Sequence, residues 1–228
     1  MKPDDVVCVG GRRGEPRGPG AACGSGCREC VGEGYYVTEQ TVRDSMSNGV
    51  GERRRAFFFD RDGIVNVRLW GDYVKTIDEF VFLDDFFPVF ELVKQSGWLA
   101  ILITNQQGVG KGIMSGEQLD VLHSHMQEQI EHQTGFRFDG IYACTDLRTT
   151  PGNCLKPSPA MVLKAMGDFG LDAADCVMVG DMPTDAEAGR LAGVATVLVG
   201  QYSVETYPEA DVCCNDLRGL YEVLSRLF

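Results

Sequence analysis

The chain has 228 residues, 44% of them apolar and 24% charged, and carries a net charge of −12 at pH 7. That composition excludes a wholly disordered or collagen-like chain, and no apolar run approaches the ~18 residues that a membrane helix needs. Residues 1–55 hold nine basic and eight acidic side chains, whereas the remainder holds 12 and 25. A body this acidic repels a phosphate backbone, which disfavours nucleic acid as a partner. The N-terminus shows no apolar secretory core, so a cytoplasmic protein is expected, with no membrane partner.

Residues 1–55 contain 11 of the 28 glycines and almost no apolar periodicity, and read as a largely disordered extension of a domain spanning 56–228. Cys23, Cys27 and Cys30, with Cys8 upstream, have a spacing that resembles the iron–sulfur triad of radical S-adenosylmethionine enzymes. No barrel pattern follows, so a flexible tail is expected, with a zinc knuckle as the alternative. The nine cysteines are odd in number and lack an export signal, which argues against a disulfide framework. Cys176, inside an apolar run, reads as a reduced core thiol.

From residue 56, strand and helix signals alternate. Ala56–Phe59 reads as a buried strand, Asp84–Gly97 as a helix stopped by glycine, and Leu99–Ile103 as a second strand. Ser115 opens a long helix with Gln118 placed for a capping box. Ile141–Cys144 is a third strand, and Ser158-Pro159 reads as an N-cap with proline at the first helical position. Cys176–Val179 and Ala195–Val199 are further strands, separated by a helix over Thr184–Leu191, and a last helix starts near Leu217. This alternation predicts an α/β fold with a doubly wound parallel sheet. Ligands in such folds sit beyond the carboxyl ends of the strands.

Those ends carry the polar residues. The first strand runs into Asp60-Arg61-Asp62-Gly63, where one carboxylate can serve as nucleophile and the other as general acid and base. A lone pair of this kind is more often a surface loop. The second strand ends in Thr104-Asn105, followed by the glycine-rich Gln106–Gly112, whose hydroxyl, amide and backbone N–H groups suit an oxyanion. Lys156 follows the third strand. The fourth ends in Gly180-Asp181, with Asp185 four residues on, a pair able to cap a helix or hold a cation.

Four such signals, each at the end of a successive strand, resemble the haloacid dehalogenase superfamily of phosphotransferases. Asp60 and Asp62 match its first motif, Thr104 its second, Lys156 its third, and Asp181 with Asp185 its fourth. The segments FDRDGIVN (59–66), TNQQGVGKG (104–112) and KPSP (156–159) resemble the branch that contains D-glycero-D-manno-heptose 1,7-bisphosphate 7-phosphatase and histidinol-phosphate phosphatase. Ten residues between Tyr73 and Asp84, and 11 between Cys144 and Lys156, leave room only for a minimal cap. The resemblance implies Mg2+-dependent hydrolysis of a phosphomonoester through an aspartyl-phosphate. A small phosphorylated metabolite is the implied partner, a sugar phosphate first and histidinol phosphate as the alternative.

The implied roles are Asp60 as nucleophile and Asp62 as acid and base. Thr104 and Lys156 act on the phosphoryl group, and Asn105, Gln106 and Lys111 are substrate contacts. The metal set is Asp60, Asp62, Asp181 and Asp185. Crowding by other carboxylates predicts a raised pKa for Asp62. The relatives' zinc loop survives in part: Cys144 and Cys154 remain, Asp146 stands where histidine is expected, and Gly152 replaces a cysteine. Zinc wants four ligands, so zinc as a cofactor is doubtful. Leu155 replaces an arginine of the branch, which puts preference for a bisphosphate in question.

Overall fold

The computed structural model describes residues 53–228; the cysteine-rich segment and almost all of the proposed extension lie outside them. Strand β1 (Ala56–Phe59) is four consecutive buried residues, and its pleat sends alternate side chains to opposite layers. Phe57 and Phe59 join the larger core, against α1 (Phe86–Gln95), α3 (Gly116–Thr134) and α6 (Leu217–Ser225). Ala56 and Phe58 join the smaller core beneath α4 (Ala160–Phe169). The larger layer is held by aromatic contacts at favourable separations, Phe90 to Phe138 at 4.9 Å and Phe59 to Phe86 edge-on at 6.0 Å.

The remaining strands are β2 (Leu99–Asn105), β3 (Gly140–Cys144), β4 (Cys176–Gly180), β5 (Ala195–Val199) and β6 (Val212–Cys214). With β1 they form one parallel sheet in the order β3-β2-β1-β4-β5-β6. The chain therefore builds outward from β1 in one direction, then returns to its other side with β4. Connections on the two sides leave opposite faces at this switch, the place beyond the carboxyl ends of β1 and β4 where such sheets bind ligands. Asp60 ends one of these strands and Asp181 the other.

The capping box forms as expected: Ser115 Oγ accepts from the Gln118 backbone N–H at 3.1 Å, and the Gln118 side chain accepts from the Ser115 N–H at 2.7 Å. Helix α4 starts one residue later than the sequence suggests. Pro159 is its N-cap, and Ser158 Oγ accepts from the Ala160 N–H at 3.3 Å. Helix α5 (Pro183–Ala192) follows β4 directly. Besides the 3-10 turns Ile77–Glu79 and Ala173–Asp175, two elements escape the sequence reading: the four-residue turn of helix α2 (Gln107–Gly110) and the three-residue β6. Both are too short to show a period. Between β1 and α1 the chain makes only turns, isolated bridges and one 3-10 turn at Ile77–Glu79. No helix among the described residues is long and apolar enough to cross a membrane.

Candidate active site

Asp60 stands one residue beyond β1, where its N–H donates to Val179 O at 2.9 Å and so ties it to the end of β4. Its Oδ1 accepts from the Arg61 N–H at 2.7 Å and lies 2.7 Å from Lys156 Nζ. Burial is the largest influence on this carboxyl and lifts its pKa to about 6, against the pull of the Lys156 charge; Asp185 and Asp62 add to the rise. Lys156 Nζ also lies 2.7 Å from Asp185 Oδ1 and donates to Ile103 O at 2.8 Å. Burial opposes its charge, but the two carboxylates win, and the pKa of Lys156 is raised. Desolvating an ion costs several kcal/mol, so this ammonium persists inside the protein only because its acids are paired with it.

The structure corrects the expectation for Asp62. Its pKa is lowered, although burial alone would raise it. The cause is the neighbouring Arg61, whose Nη2 reaches both Asp62 oxygens at 3.0 Å, helped by Asn66 Nδ2 and Gln106 Nε2 at 2.9 Å each. Arg61 is fully buried, with its guanidinium over the Phe80 ring and 3.5 Å from His123 Nε2. Crowding by acids was the visible signal. The compensating arginine is visible only once the loop folds back.

Gly63 makes that fold possible. Its φ is 98°, and a Cβ there would collide with the Asp181 carboxylate, so the first and fourth motifs approach as only glycine allows. Gly180 is similarly close to Asp185. Asp60, Asp181 and Asp185 each present an oxygen within 4.8 Å of the others. Asp185 is held by the Met182 N–H, which donates to Oδ2 at 2.9 Å. Asp181, whose pKa is raised chiefly by burial, receives Arg68 Nε on Oδ2 at 2.8 Å and Nη2 on Oδ1 at 2.5 Å. Arg68 Nη2 also donates to the Asp62 carbonyl oxygen and lies 3.3 Å from Asp60 Oδ2. Oxygens of Asp60, Asp62 and Asp181 thus converge on one cationic nitrogen. An all-oxygen set of this charge suits Mg2+.

The second motif lies at the end of the neighbouring strand β2. Thr104 is fully buried, and its Oγ1 accepts from Gln106 Nε2 at 2.8 Å. The single Gln106 amide therefore bridges Thr104 and Asp62. Asn105 is engaged with the Lys156 backbone, accepting from its N–H at 2.8 Å and donating to its carbonyl at 3.1 Å. Both residues, expected as substrate contacts, thus bond to other site residues in this structure. Lys111 is exposed, and its Nζ donates to Tyr73 OH at 2.9 Å. Sequence reasoning missed Arg61 and Asn66, which lay inside a quoted motif, and Arg68, which lies two residues beyond it.

A family profile described as HAD-hydrolase-like matches residues 153–220. The chain is 37% identical over 157 residues to the D-glycero-alpha-D-manno-heptose-1,7-bisphosphate 7-phosphatase of Burkholderia mallei, covering 64% of this chain and 80% of that one. It is 30% identical over 171 residues to the beta-heptose counterpart of Helicobacter pylori, covering 75% and 97%. The chain belongs to the heptose-bisphosphate phosphatase family of haloacid dehalogenase-like proteins. The fold agrees. The crystal structure of D,D-heptose 1,7-bisphosphate phosphatase from B. bronchiseptica, complexed with magnesium and phosphate, superposes with a TM-score of 0.67 at 28% identity, covering 75% of this chain and 98% of that one.

In this phosphatase the partial zinc loop is closed differently from the sequence reading. Cys144 and Cys154 are joined by a disulfide, contrary to the expectation of thiols. Asp146 does lie with them: its Oδ2 accepts from the Cys154 N–H at 3.1 Å and sits 3.6 and 3.3 Å from the two sulfurs. The loop is thus three potential ligands with the sulfurs bonded to each other, which does not fit a four-ligand zinc centre. Cys176, Cys213 and Cys214 are buried free thiols, and burial pushes their pKa values up to about 12, 11 and 12. They are inert packing residues.

Proposed function

We propose that this phosphatase hydrolyses a sugar phosphate of the heptose 1,7-bisphosphate class, in the cytoplasm, through an aspartyl-phosphate on Asp60. The observation that carries this reading is the placement of Asp60 between two cation positions. Lys156 holds Oδ1, and Oδ2 shares the second position with Asp181 and the Asp62 carbonyl. Bound by Asp60, Asp62 O and Asp181, with Asp185 behind them, Mg2+ would offset negative charge on the phosphoryl group.

Asp60 attacks phosphorus in line and the sugar alcohol leaves. Thr104 and backbone N–H groups of the following loop hold the phosphoryl oxygens, and Lys156 orients the nucleophile and offsets its charge. Asp62 gives a proton to the leaving oxygen, then removes one from the water that attacks the aspartyl-phosphate. In the free enzyme Arg61 keeps Asp62 ionised, ready for the second task. The first requires a proton that a neighbouring phosphate dianion helps it retain, because a like charge raises the pKa of a carboxyl. Lys111, beside Tyr73 at the rim, is placed to meet the distal part of the substrate.

Residues 56–228 form the working domain in this reading, with residues 1–55 as an extension. In a reducing cytoplasm the Cys144–Cys154 pair opens to thiols. The test is phosphate release by the full chain from heptose 1,7-bisphosphate, histidinol phosphate and a 3′-phosphorylated oligonucleotide, with and without Mg2+. The expected result is the highest kcat/KM on the heptose substrate, strict Mg2+ dependence and no release from the oligonucleotide. Preference for histidinol phosphate, or turnover in a chelator, would overturn the assignment.

A further inference from the structure

Arg68 brings its own positive charge to the position where the site's oxygens converge. Its Nη2 lies 2.5 Å from Asp181 Oδ1 and 3.3 Å from Asp60 Oδ2 and donates to the Asp62 carbonyl, while Nε donates to Asp181 Oδ2 at 2.8 Å. These are the groups assigned above to Mg2+. The ion needs oxygen ligands at about 2.0–2.1 Å, so a guanidinium nitrogen and the ion exclude each other from one position. Arg68 also has somewhere to go. Its side chain is 24% exposed, and its guanidinium carbon is 5.7 Å from the ring centroid of Trp70, which is itself 79% exposed at the rim. The loop below is fixed, because the Val67 N–H donates to Val81 O at 2.8 Å.

We propose that Arg68 is an internal competitor for the divalent ion: it neutralises Asp60 and Asp181 in the metal-free enzyme and swings toward Trp70 when the ion binds. The inference rests on the Mg2+ reading above. Without the ion, the carboxylates of Asp60, Asp181 and Asp185 face the cations of Lys156 and Arg68, leaving a single excess negative charge. Loading the ion releases Arg68 but does not remove it, since its backbone stays within a side chain's length of the site. The released guanidinium then adds a cation at the rim, where a phosphate anion must enter. Every ion bound has to displace this side chain, so the wild-type enzyme binds Mg2+ more weakly than an enzyme without it.

The experiment is calorimetric titration of Mg2+ into metal-free full-length protein, without substrate, for wild type, Arg68→Ala and Asp181→Asn, alongside Tm with and without Mg2+. Arg68→Ala should bind Mg2+ about tenfold more tightly. Its metal-free Tm should fall below that of wild type, and Mg2+ should raise it by more. If Arg68→Ala is poorly folded, Arg68→Gln, which keeps the stem and removes the charge, carries the same expectation. Equal or weaker binding by the neutral variants, with Asp181→Asn binding none, would overturn the competition and leave the metal assignment standing. Absence of binding by wild type and neutral variants alike would overturn both.

Discussion

Lys156 Nζ sits 2.7 Å from Asp60 Oδ1, and its side chain is 2% exposed against 8% for the aspartate. The pair is an ion pair and a positioning device at once. Asn105 grips the Lys156 backbone through both its N–H and its carbonyl, so the ammonium is delivered from a fixed point at the end of β2.

Removing one partner of a buried pair leaves the other charge uncompensated, which typically costs 3–5 kcal/mol. Lys156→Met should therefore lower the free energy of unfolding by about 3–5 kcal/mol at pH 7. Asp185 would lose its cationic partner and Asp60 the nearer of its two, leaving only Arg68 at 3.3 Å, so Asp60 should titrate above its value of about 6. Urea denaturation measures the first effect. A variant as stable as wild type would show that the site is wetter than the geometry indicates.

His123 gives a separate pH dependence. It is buried on α3 beside Arg61, and desolvation first, then the Arg61 charge, lower its pKa to about 4. The unfolded chain takes up this proton near pH 6.5, whereas the folded chain resists until about pH 4. Stability therefore rises with pH across that window and is lost as the pH falls through it. At pH 5 the histidine should cost about 2 kcal/mol relative to pH 8. The difference in unfolding free energy between wild type and His123→Gln, measured at both pH values, isolates this contribution. A pH-independent difference would mean that His123 titrates alike in the folded and the unfolded chain.

The sheet was legible because its central strands are continuous apolar runs, each followed at once by polar motif residues. Buried parallel strands need no alternation, and Phe57-Phe58-Phe59 could face two cores only in that setting. β6 left no such trace, since Val212–Cys214 is three residues long. In the site, the acids were legible by position but their charge balance was not. Arg68 reaches Asp181 across 113 residues of sequence, and Arg61 acts on its own neighbour only because the loop turns it inward. Asn105 and Gln106 were expected as substrate contacts from the family resemblance, and nothing in the sequence shows which groups of the fold they meet. Lys156, Thr104 and Asp62 claim their amides in the fold.

The Cys144–Cys154 bond closes a short loop between β3 and the Lys156 segment, with a sequence separation of 10. A cross-link over a loop of this length stabilises by about 2–3 kcal/mol in the chain-entropy view. Reductant should therefore lower the stability of the oxidised wild type by about that amount, and Cys154→Ser should not respond to reductant. Elemental analysis should find less than one zinc per chain in either redox state. A wild type indifferent to reductant that carries stoichiometric zinc would show that a metal, not a disulfide, joins the two sulfurs.

The two motif aspartates should separate by step. Asp60→Asn removes the proposed nucleophile, so no phosphoenzyme should form on any substrate. Asp62→Asn keeps Asp60 and its contact with Lys156 but loses the proton carrier. With a sugar phosphate, whose alkoxide leaves poorly, turnover should fall by about 10²–10⁴, the usual contribution of general acid–base catalysis. An aryl phosphate needs no proton on its leaving group, so phosphorylation of Asp60 should survive better than the hydrolysis that follows. Hydrolysis still needs a base for water, the role proposed for Asp62, whose carboxylate Arg61, Asn66 and Gln106 hold in the wild type. Labelled phosphate should therefore accumulate on Asp60 in the Asp62→Asn variant fed an aryl phosphate, as rapid quench and mass spectrometry would detect. Wild-type rates for Asp62→Asn on both substrates, or residual turnover by Asp60→Asn, would reassign the two roles.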